Sequence, residues 1–205
     1  MVESIVGGKL RGGRHGLPRR VVLDNQRSRI LAGVVGAAGE LGYARMTVES
    51  VIARAQVSRR TFYEHFRNKQ EAFLAAYDRV MDGAMARMTE ACEAAPSARF
   101  EAGLRAFLEA LAADPRAART CVVEVAAAGR EAMRRQDAVL RTLTALLAAE
   151  MRRSGARSPD LAADLTVNAL YGVVYARVET GRAAELPDLV PALVPDPACA
   201  PGARS

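Results

Sequence analysis

The stretch from Thr47 to Lys69, TVESVIARAQVSRRTFYEHFRNK, constrains the fold more than any other part of this sequence. Thr47 and Ser58 are both residues whose side-chain oxygens cap helix N-termini, and each precedes a run of helix-compatible residues. Gln56 and Val57 between them form the turn, so the stretch predicts two short helices joined at a tight corner. In the second helix Phe62 and Phe66 lie four apart and share one face, which must be buried against neighbouring helices. Arg60, Tyr63 and Glu64 fall on the opposite face, with Arg59 at its margin near the helix start.

Helical spacing extends on both sides. Ile30, Leu31, Val34, Val35, Ala38 and Leu41 recur with the period of a helix, with Asp24 as its expected N-cap and Gly42 as its C-terminal stop. Asn68 followed by Glu71 opens a long helix through Phe73, Leu74, Tyr77, Met81, Met85 and Met88. Pro96, Pro115 and Pro159 divide the rest of the chain into helices expected near 97–112, 116–130, 136–154 and 159–182. From Leu186 onward, five of the nine prolines accumulate, and the end reads as a short helical turn near Asp188–Val194 and then a disordered tail. No segment alternates with the period of a strand. The expected fold is all-α, with a flexible basic arm over 1–20, a three-helix, homeodomain-like helix-turn-helix unit over 21–70, a larger helical domain over 71–195 and a tail over 196–205.

Charge sharpens the functional reading. The net charge is +6, and residues 1–70 hold 13 Lys or Arg against 5 Asp or Glu, whereas residues 71–205 hold 16 against 18. The excess of positive charge therefore coincides with the helix pair, as expected for a part that meets a polyanion. A guanidinium on the exposed face of the second helix bonds a guanine edge in bidentate fashion or grips a phosphate. The Gly-rich arm carries Lys9, Arg11, Arg14, Arg19 and Arg20; it either lies along phosphates or is a plain extension, and both readings stay open.

Other chemistries are poorly supplied. His15 and His65 are the only histidines, so a metal cluster of the HExxH kind has no ligands, and no nucleophile elbow or phosphate-binding loop occurs. The expectation is a protein that is not an enzyme and needs neither metal nor cofactor. Cys92, Cys121 and Cys199 are far apart and form no CxxC pair, which suits a reducing cytoplasm. No apolar run approaches the ~18 residues of a membrane span, so no membrane partner is expected.

The segment over roughly residues 24–75 resembles the DNA-binding domain of the TetR family of bacterial transcriptional regulators. The matching residues are Gly42, Thr47, Ile52, Ala53, Ala55, Val57, Ser58, Thr61, Phe62, Tyr63, His65, Phe66 and Lys69. The resemblance implies a sequence-specific regulator, a repressor that binds a palindromic operator in double-stranded DNA as a homodimer and is released by a small apolar effector. The alternative is an effector-independent DNA-binding protein of the same fold. By resemblance, Thr47 binds a backbone phosphate, Arg59, Arg60 and Thr61 face bases, Tyr63 and His65 reach phosphates, and Lys69 takes a further phosphate; Ser58 stands at the start of the same helix. Gln56 departs from the family, which commonly has glycine in the turn. If that position is left-handed, glutamine there costs ~1 kcal/mol.

The remaining chain is then expected to hold the effector and to form the dimer. Helices near 137–153 and 161–180, apolar and with Ala169, Gly172 and Ala176 as small residues, resemble the family's dimer interface; the other reading is that they are core within one chain. Phe107, Cys121, Glu124, Tyr171 and Tyr175 are the candidate effector-pocket residues, with Phe100 and Met133 behind them. Glu124 stands out because a carboxylate between Val122, Val123 and Val125 must be paired, exposed or used by a ligand.

Overall fold

The computed structural model describes residues 18–193, and the glycine-rich arm with His15, the end of the tail and Cys199 lie outside them. Every regular element among the described residues is helical. Helix α1 spans Arg19–Leu41, α2 Val48–Ala55, α3 Arg59–His65, α4 Lys69–Ala94, α5 Arg99–Ala112, α6 Pro115–Val122, α7 Arg130–Arg153 and α8 Pro159–Glu179. Short 3-10 turns cover Ala126–Ala128 and Ala183–Leu189, and a last single turn, α9, covers Val190–Leu193.

The caps of the helix pair sit where their side chains lead one to expect. The Thr47 side chain accepts from the Ser50 amide at 3.1 Å, and Ser50 returns the bond by accepting from the Thr47 amide at 3.1 Å. Ser58 accepts from the Thr61 amide at 3.0 Å and Asn68 from the Glu71 amide at 2.9 Å. These bonds satisfy amides that a helix start otherwise leaves without partners.

Two expected boundaries are corrected. Asp24 is not the cap of the first helix: α1 begins at Arg19 with Pro18 (φ −52°) as its N-cap, a residue with no amide hydrogen to satisfy, and Asp24 stands inside the helix, 3.8 Å from Arg20. The helix expected over 116–130 stops at Val122. Gly129 adopts φ +94°, a conformation that breaks the helix, so α7 restarts at Arg130, ahead of the expected 136.

Helices α1, α2 and α3 pack around Ile30, Val34, Val51, Phe62 and Phe66, all buried. Helices α4 to α8 form the larger unit, with α4 against α5 and α7 against α8. The two units share one continuous core, because α1 also packs on α4 and α6. The α1–α6 crossing is backbone-close. A Cβ on Gly39 would stand 2.8 Å from both the Cβ and the carbonyl oxygen of Arg116, so only glycine permits this approach.

Candidate nucleic-acid interface and internal cavity

The corner between α2 and α3 is held in a conformation that its residue resists. Gln56 adopts φ 52° and ψ 43°, the left-handed region, where a side chain collides with its own backbone. Arg29 on α1 stabilises the corner by donating one guanidinium nitrogen to the carbonyls of Ala55 and Gln56, each at 2.6 Å. The turn therefore survives without glycine because a cation from the neighbouring helix caps the end of α2, where partial negative charge collects.

On α3, Phe62 and Phe66 are buried as the spacing predicts, and their burial turns Arg59, Arg60, Tyr63 and Glu64 outward. Tyr63 is 47% exposed, and its hydroxyl meets no described residue. The Arg59 guanidinium lies 5.8 Å from the Tyr63 ring centre and bonds Glu49 on α2 at 2.6 Å. Arg60 bonds Glu64 at 3.0 Å one turn on. Both ion pairs are exposed, so each contributes little to stability, about 0–1 kcal/mol. What they do is extend two guanidinium groups over the outer face of α3.

The other expected contacts divide by geometry. Thr47 has its oxygen occupied in capping, while its hydroxyl proton meets no described residue. Ser58 and Thr61 share a hydroxyl bond of 2.9 Å beside the first turn of α3. Lys69 points its ammonium at the carbonyls of Tyr43 and Met46, at 3.1 and 3.0 Å, and lies 4.6 Å from the Tyr43 ring centre. Two of its three donors thus tie the start of α4 to the loop before α2. His65 is half-buried, 3.4 Å from the Gln26 side chain; burial first, then the Arg27 charge, holds its pKa below 6.5. Near neutral pH it is an uncharged donor.

A cavity of ≈ 50 Å³ lies in the larger unit, between Tyr77 and Met81 of α4, Leu104, Phe107, Leu108 and Leu111 of α5, and Cys121 and Val122 of α6; α7 adds Gln136, Val139, Leu140 and Leu143, and α8 adds Val167, Leu170, Tyr171 and Val174. That is room for a few waters at most. Of the candidate pocket residues, Phe107, Cys121 and Tyr171 line it. Phe100 is buried in the core and Met133 is exposed, and neither reaches it. Tyr175 is half-buried with its ring 6.4 Å from that of Tyr171, outside the lining.

Glu124 points elsewhere. Its carboxylate accepts from the Tyr43 amide at 2.8 Å and pairs with Arg119 at 3.1 Å, and Gly42 with φ +81° leaves it space. It therefore clasps the end of α6 to the loop between α1 and α2. The Thr120 hydroxyl, whose proton lies between the Arg116 carbonyl at 2.8 Å and the Val35 carbonyl at 3.3 Å, sits on the same seam, and Glu40 receives both Arg54 at 2.6 Å and Arg116 at 2.9 Å.

Sequence reasoning missed Gln136 and Tyr77 as cavity residues. Gln136 was visible as the one amide within the apolar stripe Ala132, Val139, Leu140, Leu143 of a helix. Tyr77 gave no such signal, because a tyrosine in an apolar stripe reads as core. Glu49 was also missed, since nothing local marks which exposed glutamate meets Arg59.

Residues 30–76 match the family profile of bacterial regulatory proteins, tetR family. No curated protein matches the chain in sequence. Among solved structures, the fatty acid degradation regulator FadR of Bacillus halodurans aligns with TM-score 0.67 at 21% identity, over 82% of this chain and 92% of its own. FadR of Bacillus subtilis, in complex with stearoyl-CoA, aligns with TM-score 0.69 at 19% identity, over 80% and 94%. SmeT, the repressor of the Stenotrophomonas maltophilia multidrug efflux pump SmeDEF, aligns with TM-score 0.64 at 25% identity, over 86% and 94%. These likenesses run through both units, and the proteins concerned are regulators of transcription. No helix among the described residues is long and apolar enough to cross a membrane, and no group of three or more His, Cys, Asp or Glu among them is placed to hold a metal ion.

Proposed function

We propose that this chain is a regulator of the TetR family, a dimeric repressor that binds a palindromic operator and leaves it when a small apolar molecule enters the cavity. The observation that carries the DNA-binding part is α3 itself. Its buried Phe62 and Phe66 fix the helix against α1 and α2, and its outer face presents Arg59, Arg60 and Tyr63 at the end of a capped, corner-held helix pair. Arg59 and Arg60 read base edges, while Thr47, Tyr63, His65 and the remaining Lys69 donor take phosphates. Ser58 and Thr61 stand at the helix start, where backbone amides also favour an anion.

Dimerisation is supported by an unpartnered stripe on α8. Leu161 and Leu165 are 61% and 64% exposed, and the exposed Ala169, Gly172 and Ala176 continue the same face at helical spacing. Small residues along such a stripe let a second helix approach closely. Leu170 and Val174 face inward, as do Leu143 and Leu147 of α7, so the two late helices serve the chain's own core on one side and offer a surface on the other.

Coupling runs through α6. Its Cys121 and Val122 line the cavity, Tyr171 donates to the Val122 carbonyl at 3.2 Å, its other side meets Gly39 and Val35 of α1, and Glu124 just beyond its end meets Tyr43 in the loop after α1. The cavity is too small for most effectors, so a ligand must widen it. A conformation so widened, with α6 displaced, is one in which the DNA-binding unit is reoriented, and the ligand's preference for it sets the shift. Bacillus subtilis FadR, a relative in fold, is known in complex with stearoyl-CoA, which supports this reading.

The test is selection from randomised DNA at moderate salt, and then mobility shift. A palindromic sequence bound by the wild type and lost in Arg59→Ala, Arg60→Ala supports the proposal; no selected sequence refutes it. A monomer by light scattering at micromolar concentration removes the dimer. The small cavity favours the second reading, a regulator that needs no effector, if no apolar compound both stabilises the protein and releases its DNA.

A further inference from the structure

Among the described residues the cavity lining is neutral, and its polar side chains are those of Tyr77, Gln136 and Tyr171 beside the Cys121 thiol. Tyr171 uses its hydroxyl twice, accepting from Gln136 at 2.8 Å and donating to the Val122 carbonyl at 3.2 Å. Gln136 is 5% exposed, and its second amide atom, the carbonyl oxygen, meets no described residue. Exchanging the amide's nitrogen and oxygen would leave the other atom free, so either way one amide atom of this cavity-lining, nearly buried side chain has no partner among the described residues. The Tyr77 hydroxyl is 2% exposed at the residue level and likewise meets no described partner. Burial pushes its pKa up, with Cys121 and Tyr171 close enough to add to the effect, and burial pushes the Cys121 thiol up as well. Both groups therefore stay protonated and uncharged.

We infer that the cavity, once widened, takes an uncharged, slender lipophile carrying one hydrogen-bonding oxygen, such as an alcohol or ketone, which Gln136 and Tyr77 hold while α5, α7 and α8 enclose its hydrocarbon. This deepens the effector part of the proposed function and rests on that reading. The selectivity comes from what the lining lacks. Among the described residues no Lys, Arg, Asp or Glu lines the cavity, so a carboxylate or ammonium entering it gives up its hydration with no opposite charge in return. A plain hydrocarbon avoids that cost but leaves the Gln136 and Tyr77 polar atoms without the partner that an oxygen supplies. Recognition of one oxygen by a buried amide and a phenol is thus the discriminating contact, and the apolar helices supply affinity without choosing among chains.

The experiment uses the full chain at about pH 7.5 with three probes of equal length: 1-octanol, octanoate and octylammonium. Calorimetry and thermal shift are recorded for the wild type, Gln136→Leu and Tyr77→Phe, with DNA release measured in parallel. The expected result is binding of 1-octanol with a rise in melting temperature, about 100-fold weaker binding of both ions, and about 10-fold weaker binding of 1-octanol in at least one variant. Ions bound within 10-fold of the alcohol, alcohol binding unchanged in both variants, or no alcohol binding each overturn the inference. Alcohol that binds as expected and leaves DNA in place refutes the effector-release reading alone. Octanoate that binds best and releases DNA refutes the neutral-ligand inference alone.

Discussion

Removing the Glu124 carboxylate tests whether α6 is fastened to the DNA-binding unit. Glu124 is 8% exposed and accepts the Tyr43 amide at 2.8 Å while pairing with Arg119 at 3.1 Å. A hydrogen bond to a charged acceptor contributes about 1.5–3 kcal/mol. Arg119 is 35% exposed in its side chain, so solvent screens the ion pair and limits it to about 1 kcal/mol or less. Glu124→Ala loses both and strands the Tyr43 amide, for about 2–3 kcal/mol in all. For a protein of this size each kcal/mol lowers the melting temperature by about 2–4 °C, so the expected fall is about 4–12 °C. Glu124→Gln keeps an oxygen for the amide and loses only the charge, so it costs about 1 kcal/mol. Scanning calorimetry gives the first readout and hydrogen exchange at the Tyr43 amide the second, since that amide loses its protection in Glu124→Ala alone. A melting temperature within 1 °C of wild type together with an unchanged Tyr43 amide would refute the clasp.

Three further outcomes are expected from the same geometry. Gly39→Ala forces a Cβ to 2.8 Å from the Arg116 backbone and is expected to destabilise by about 1–2 kcal/mol net of the helix propensity gained, whereas Gly83→Ala, with nothing within 4 Å, is expected to stabilise by up to about 1 kcal/mol; urea titration of the pair checks the contrast. Gln56→Gly relieves the left-handed strain at φ 52° and is expected to raise stability by about 0.5–1 kcal/mol, a gain of a few degrees at most; a loss would mean that the side chain itself holds the corner. The fold holds the pKa of His65 below 6.5, so the unfolded chain binds more protons between the two values. Stability from this group is accordingly full above pH 6.5 and falls as the pH drops from there toward the lower folded value. His65→Gln is expected to flatten that part of the profile in denaturant titrations.

The local signals in the sequence were strong wherever a bond joins residues three or four apart. Thr47, Ser58 and Asn68 announce their helices because each cap acts on an amide within its own first turn. Phe62 and Phe66 announce the face of α3 for the same reason. The contacts that stayed hidden involve partners brought together only by the fold. Arg29 capping a corner 27 residues away, Glu124 reaching Tyr43 across 81, and Gln136 bonding Tyr171 across 35 leave no periodic trace. Glu124 illustrates the difference. Its apolar neighbours mark a carboxylate that must be paired, exposed or used by a ligand without choosing among these, and its position next to the cavity-lining Cys121 and Val122 gives no indication that it faces the opposite way.

The closeness of Gly39 to Arg116 bears on how this protein can be taken apart and recombined. A chimera that joins another sensor unit after residue 70 would bring a foreign α6 against this α1. It would match neither the missing Cβ at Gly39, nor the Thr120 bond to Val35, nor the Glu124 bond to Tyr43. The natural unit for transplantation is therefore discontinuous: the first three helices travel with the inner face of α6, and a graft that keeps that face while exchanging α5, α7 and α8 changes the compound sensed without refitting the joint.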